Sequence, residues 1–491
     1  MKMKKTNLFL TAAAMLASVH ALAGGLLTNT NQSVSLLRQP AQNSVISVNG
    51  AYFNPAGVGF LEDGFQLSFG YQYARQEREV TSAFAPFAYN VNNPGISAKT
   101  YKATTIVPIL PTLDLSYNHD RFFGSFHFGV IGGGGKAPFE EGLGSFEGQF
   151  AMFPAIINAV AGEGTVSGYS VDMGITGAQY YYSGQLNLGY RINDKLSVAA
   201  GLRGVYVNNS YNADITDFKL MTAAGLVPAS SVISPLVGEE RAAALTADRH
   251  LDCKQTDFTV VPVISIDYRT GKFNFAARYE FRAKVDLTNE TTSDAGLAQY
   301  ADGGHMRGDI PAMLAMGVQY SIIPDLRIQL DYNQYFDKSA KVYNSLTGAD
   351  DKTSLLGHNP FEVNFGVEYD INRMFTVSTG VQNHIFDLGE NDAYNSDMSF
   401  TTKSSTVGLG ARINLSDRLS FDVSVFKSFY RHNTKTMEDY NNIGASLART
   451  LSAAGLPEAV VSNLAASLKV PGTDTYYRNS LLLGVGVNYK F

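Results

Sequence analysis

Apolar and polar side chains alternate one for one over stretches of about ten residues, and these stretches recur along the chain. Across residues 273–282, Phe273, Phe275, Ala277, Tyr279 and Phe281 interleave with Asn274, Arg278, Glu280 and Arg282. Residues 326–333 set Leu326, Ile328, Leu330 and Tyr332 against Arg327, Gln329, Asp331 and Asn333. Residues 361–370 repeat the arrangement with Phe361, Val363, Phe365, Val367 and Tyr369. Successive strand side chains point to opposite faces, so each stretch predicts a strand with one greasy and one wet face. A soluble sandwich and a membrane barrel both alternate in this way, and the connections between strands separate them.

Short polar turns punctuate the pattern at Asn118-His119-Asp120, Asn193-Asp194, Thr270-Gly271, Pro324-Asp325, Asn372-Arg373 and Ser416-Asp417. Several of the preceding strands close on Tyr117, Tyr190, Tyr268, Tyr320 or Tyr369, all in the apolar phase. Six turns join twelve strands. A first strand near residues 65–74 and a last over residues 477–491 bring the expected number to fourteen. The remaining connections are long. An even strand number, tight turns at one end, long loops at the other and a ring of Tyr describe an all-β, 14-stranded antiparallel transmembrane β-barrel. The last strand carries Leu481, Leu483, Val485, Val487, Tyr489 and Phe491 on one face and closes on an aromatic residue. It looks like the terminal signature that the bacterial barrel-assembly machinery recognises.

Composition sharpens this reading. Charged residues make up 17% of the 491 residues, Gly numbers 46, and aromatics come to 27 Tyr and 30 Phe with no Trp. The charged share lies below the quarter or so of an ordinary soluble protein. A formal net charge of -6 gives no basic footprint for nucleic acid. One cysteine, Cys253, forms neither an internal disulfide nor a multi-thiolate site, and the eight His show no metalloprotease spacing, so no metal and no cofactor are expected. Ser125 and His127 share one strand face, too little for a hydrolase, and the protein is not expected to be an enzyme. Acidic loop residues Glu390, Asp392 and Asp397 read as a solvated loop or, less simply, as calcium ligands.

Lys2, Lys4 and Lys5 precede an apolar run over residues 8–16, and Ala21-Leu22-Ala23 follows. This predicts a secretory signal over residues 1–23, since the run falls short of the roughly 20 residues that span a bilayer. The expected compartment is the outer membrane of a Gram-negative bacterium, with outer-membrane lipid and the assembly machinery as partners and a monomeric barrel. The domains expected after the signal are residues 24–64, which lack alternation, and the barrel over residues 65–491.

A barrel of fourteen strands leaks unless blocked, because eight strands leave room only for side chains and sixteen to eighteen enclose a channel. Residues 24–64 fold either into the lumen as a plug or outward as an extension. Gly132, Gly133, Gly134 and Gly135, with Pro138 behind them, interrupt the third strand, predicting a kink or parting of the wall or a flexible strand end. They do not form a phosphate loop, since Ala137 stands where Ser or Thr is needed. Phe150, Met152, Phe153, Ile156 and Ile157, and then Leu220, Met221 and Leu226, fall in expected long loops, where they form an exposed capture groove or pack as a loop core. A third apolar set, Ile443, Leu447, Leu451, Val461, Leu464 and Leu468, is expected in a helical loop beside them. Arg203, Arg278 and Arg282 take the polar phase of their strands and are candidates to meet a carboxylate in the lumen.

The stretch from Asn43 to Asn54-Pro55-Ala56 resembles the Asn-Pro-Ala hatch motif of FadL-type long-chain fatty acid outer-membrane transporters, a family that includes aromatic-hydrocarbon uptake channels. The similarity continues through Val107-Pro108 to Leu115, residues 123–135 and residues 183–206. It implies an N-terminal lumenal hatch inside the barrel, helical extracellular loops and passive uptake of a hydrophobic molecule. The molecule would be captured by loops, held in a pocket touching the hatch and released sideways at strand 3. Where the family carries a lumenal arginine soon after a Val-Tyr of the fifth strand, this chain has Val205, Tyr206, Val207 and Asn208. That makes Asn208 a head-group candidate and leaves open whether the ligand is a long-chain fatty acid, an aromatic hydrocarbon or another lipid. A general pore or an adhesin barrel is the other class of function.

Overall fold

The computed structural model describes residues 33–344, 347–453, 461–462 and 467–491. The expected signal, residues 1–23, and residues 24–32 of the expected N-terminal domain lie outside the described residues. The described residues form one closed sheet whose wall strands are β1 (Gly64–Phe84), β2 (Ala98–His119), β3 (Phe122–Phe139), β4 (Gly168–Arg191), β5 (Leu196–Thr222) and β6 (Arg249–Thr270). Then come β7 (Phe273–Glu280, continued by Asp286–Asp294), β8 (His305–Arg307, continued by Met313–Ile323), β9 (Leu326–Tyr335) and β10 (Phe361–Asp370). β11 (Phe375–Ile385), β12 (Ser404–Asn414), β13 (Leu419–Tyr430, continued by Asn433–Met437) and β14 (Gly472–Lys490) complete the wall. Neighbours pair antiparallel, and β14 returns to β1 from Gln66 opposite Lys490 to Phe84 opposite Gly472. This is the fourteen-stranded antiparallel barrel that the alternation predicts, with every predicted tight turn at one end.

The two faces are those of a membrane barrel. Leu188 is 69% exposed, Phe258 64% and Leu409 59%, all on the outer face, whereas Gln185, Asn187, Asp267, Asp331 and Asn333 are buried inside. A sandwich would bury the first set and hydrate the second. The wall is taller on one side, since β1 to β6 run for 18 to 27 residues and β9 to β12 for 10 or 11. β1 therefore continues ten residues past its expected end at Ala74. Beyond that point its outer face turns polar: Arg75 pairs with Glu77 at 2.7 Å and Glu79 with Lys102 at 3.2 Å. The strand has left the apolar band while its backbone ladder continues.

Residues 33–61 occupy the lumen near the short-turn end. They form helix α1 (Val34–Arg38), one turn of helix α2 (Gly50–Phe53) and a 3-10 turn, Pro55–Phe60. Ser33 caps α1 by accepting a hydrogen bond from the Leu36 amide, and the Asn54 side chain caps the 3-10 turn, with Pro55 at the first position where its missing N–H costs nothing. Wall side chains meet this segment from around the barrel. Arg38 donates to Asp422 at 2.8 Å and Glu368 at 2.7 Å, and the Asn43 amide donates to Asp331 at 2.8 Å. Asn49 donates to Asp114 at 2.7 Å, and Asn187 donates to the Ala51 carbonyl at 2.8 Å. An isolated segment of this size has no core of its own, so these polar contacts and the burial of Leu36, Leu37, Tyr52 and Phe53 hold it.

Candidate functional site

The backbone ladder between β2 and β3 stops partway along the two strands. Their ladder runs only from His119 opposite Phe122 to Leu113 opposite Phe128. Farther out, β2 stays on β1 as far as Ala98, and β3 stays on β4 as far as Phe139 opposite Ile175. The four glycines line the parted edge. They do not end the strand, which was the alternative to a kink or parting; β3 runs through them with register shifts against β4 between Val130 and Gly132 and between Gly132 and Gly135. Gly133 has φ 96° and Gly135 φ 71°, and a Cβ on Gly133 would lie 2.1 Å from the Gln179 carbonyl oxygen. Pro138 stays paired, opposite Thr176. The facing strand holds Pro108 and Pro111, which have no N–H to give to a ladder. These two prolines, passed over in the sequence reading, are the signal by which this side of the interruption could have been found. A cavity of about 70 Å³ follows the opening, lined by Thr105, Val107, Leu110, the glycines and Tyr180.

A second cavity, of about 80 Å³, lies in the lumen between Leu36, Tyr52 and Phe53 of the N-terminal segment and a wall that includes Ile131, next to Gly132. Arg203 and Arg278 enter it, as their phase predicts. Both are already engaged: Arg203 donates to Gln185 at 2.8 Å and Glu280 at 3.0 Å, and Arg278 sits 3.0 Å from the same Glu280. Their guanidinium groups stand 4.5 and 4.8 Å from the centre of the Tyr52 ring, and Arg278 also donates to the Tyr52 carbonyl. Across the cavity, Glu362 accepts from Tyr335 at 2.8 Å and Asn333 at 2.9 Å and lies 3.0 Å from His384. Opposite charges thus neutralise one another around an aromatic floor.

Two head-group candidates do not reach this place. Arg282 follows Glu280 in the break of β7, is part-exposed, and contacts Ser339 and, at 3.6 Å, Asp309. Asn208 belongs to the outward phase of β5, between inward Val207 and Asn209, which are buried where Asn208 is not. Phase alone settles that, because a strand cannot turn Asn208 inward without turning Val207 and Asn209 out.

The hatch-motif residues are buried at the floor. Asn54 donates to Asp267 at 2.5 Å, the Ala56 amide donates to Ser265 at 3.2 Å, and Ala56 packs with Val58, Phe123 and Ala199. Ser125 and His127 do not meet as a nucleophile and base: Ser125 accepts a hydrogen bond from Asn187, and His127 pairs with Asp114 at 2.7 Å.

The long loops carry helices α3 (Gly144–Ala151), α4 (Phe153–Ala161), α5 (Ala229–Val237), α6 (Glu239–Thr246) and α7 (Ile443–Ala453). Phe150, Met152, Phe153, Ile156 and Ile157 are buried as a loop core rather than displayed as a groove, with Phe150 and Phe153 edge-on to Phe218 at 4.9 and 5.2 Å. Leu220 and Met221 lie on β5 rather than in a loop, because the strand outlasts the membrane band, and Leu220 is fully buried. Of the expected groove set, Leu226, in the short strand Gly225–Pro228 that folds back on β5, is exposed. Ile443, Leu447, Leu451, Val461 and Leu468 join the same core, and Leu464 lies outside the described residues. Asp397 is not solvated: it is buried and accepts from the Ser145 amide at 2.8 Å, at the start of α3. Among the described residues no cluster of three metal-ligating side chains forms.

No protein-family model and no curated protein matches the chain. Solved structures do. A Pseudomonas aeruginosa FadL homologue is similar over 95% of this chain and 99% of its own, with 12% identity and a TM-score of 0.62. The Pseudomonas putida toluene transporter TodX covers 96% and 99% at 12% identity and TM-score 0.54. The Ralstonia pickettii toluene transporter TbuX covers 96% and 99% at 12% identity and TM-score 0.51. The chain has the fold of FadL-type outer-membrane channels.

Proposed function

We propose that the protein is an outer-membrane channel of the FadL type that takes up hydrophobic compounds passively, long-chain fatty acids foremost, and releases them sideways between β2 and β3. The unpaired edge at Gly132 to Gly135 carries this reading, because a ladder that stops partway leaves β3 backbone groups on the side of β2 without strand partners, a cost that function explains. Residues 24–64 serve as the hatch, anchored by Arg38, Asn43, Asn49 and Asn54. Burying each methylene is worth about 0.8 kcal/mol, so an apolar path extracts a chain from water without a motor. Exit into the bilayer then avoids returning it to water. The likeness to toluene transporters supports a second substrate class, aromatic hydrocarbons, on the same route.

Uptake of radiolabelled oleate by cells lacking their own transporter tests the proposal. The protein is expected to restore uptake, and a variant with Gly133→Val and Gly135→Val is expected to abolish it while still showing the heat-dependent gel shift of a folded barrel. Uptake undiminished in that folded variant would overturn lateral release. No uptake of oleate or toluene by the folded parent would overturn the function.

A further inference from the structure

Just inside the seam, two arginines face each other with no carboxylate paired to either among the described residues. Arg78 on β1 and Arg478 on β14 are direct cross-strand partners, both in the inward phase. Arg478 is 7% exposed, its Nε has no hydrogen-bond acceptor, and it rests on the Tyr430 ring at 5.0 Å. Arg78 donates to the neutral Gln76 at 2.8 Å, and among the described residues neither arginine forms an ion pair with a carboxylate. Asp474, farther out on β14, is engaged by Ser82 at 2.6 Å and Tyr440 at 2.9 Å. Two like charges held side by side in a partly dehydrated wall cost free energy unless an anion sits between them. Arg203 and Arg278 differ on this point, because both share Glu280.

The pair also stands at the opening. Arg478 lines the cavity behind the glycines, and the Arg78 guanidinium lies so close to Gly134 that a Cβ there would come within 2.4 Å of Nη2. A guanidinium pair presents parallel N–H donors that match a carboxylate.

We infer that Arg78 and Arg478 form an anion site at the inner mouth of the seam, which receives the carboxylate of a long-chain amphiphile while its chain leads out past the glycines. The inference rests on the proposed uptake function and narrows its substrate class from any hydrophobic compound to a carboxylate-bearing one.

Binding of oleate and of methyl oleate to the purified protein in nonionic detergent tests it. The parent is expected to prefer the acid by about tenfold, the scale of a charged hydrogen-bonded pair. The double variant Arg78→Gln, Arg478→Gln should bind both equally, and Arg78→Lys, Arg478→Lys should keep part of the preference. A parent that binds acid and ester alike overturns the anion site but leaves hydrophobic uptake standing; a parent that binds neither removes both. A preference that survives the folded Gln variant also overturns the assignment and moves the head group elsewhere in the lumen. The acid-to-ester ratio in the parent needs no variant, so misfolding cannot mask the result.

Discussion

Glu147 holds the outer loops to the wall through four donors. Its carboxylate, 1% exposed, accepts from Asn90, Lys99, Tyr101 and Tyr169, each at 2.8 Å. Removing one member of such a buried charged cluster strands the others, at about 3–5 kcal/mol. Glu147→Ala is therefore expected to leave the barrel folded but to open residues 144–161 to protease, read by cleavage mapping on intact membranes. Nothing along the chain marks Glu147, which looks like any helix-surface acid until Tyr101 and Tyr169 arrive from two strands. Asn208 shows the converse. Its position after Val205-Tyr206-Val207 suggested a lumenal role, yet the inward burial of Val205, Val207 and Asn209 places it outside.

At the scale of the element, α3 is held by Asp397 from a neighbouring loop. Burial, and Asp474 beside it, push the Asp397 carboxyl up to about 7, while Lys435 is the nearby cation. A raised folded value means that the protonated form is the better packed one. The stabilisation is complete below the ordinary carboxylate value near 4 and is lost as pH rises through about 7. Amide-exchange protection of α3 should thus be higher at pH 6 than at pH 8, and Asp397→Asn should flatten the difference; unchanged protection across that range in the parent would refute the coupling. Strand β3 was only half legible. Gly132 to Gly135 and Pro138 announced an irregularity, but whether the strand ended, bulged or parted depended on its neighbours, since β4 follows it through the bulges and β2, with Pro108 and Pro111, does not.

For the whole molecule, the decisive property is closure. The segment over residues 33–61 is tied to β2, β4, β6, β9, β10 and β13, so ions should find little path through the barrel. In planar bilayers the intact protein is expected to be nearly silent, and deletion of residues 33–61 should give steady conductance with the barrel's gel shift retained. An intact protein that conducts like a general pore would set aside the hatch.

The strand count, the short-turn end, the greasy outer face and the polar lumen were all legible along the chain. These follow from side-chain alternation with period two and from turn chemistry, which are local. The inward placement of Arg203 and Arg278 was legible too, because phase is set within one strand. The tertiary structure alone decided where the ladder stops between β2 and β3, which wall carboxylates hold Arg38, Asn49 and Asn54, and that Glu280 neutralises two arginines while Arg78 and Arg478 face each other. Those are pairings between residues as far apart as 78 and 478. They depend on register and barrel closure, which no window of sequence contains.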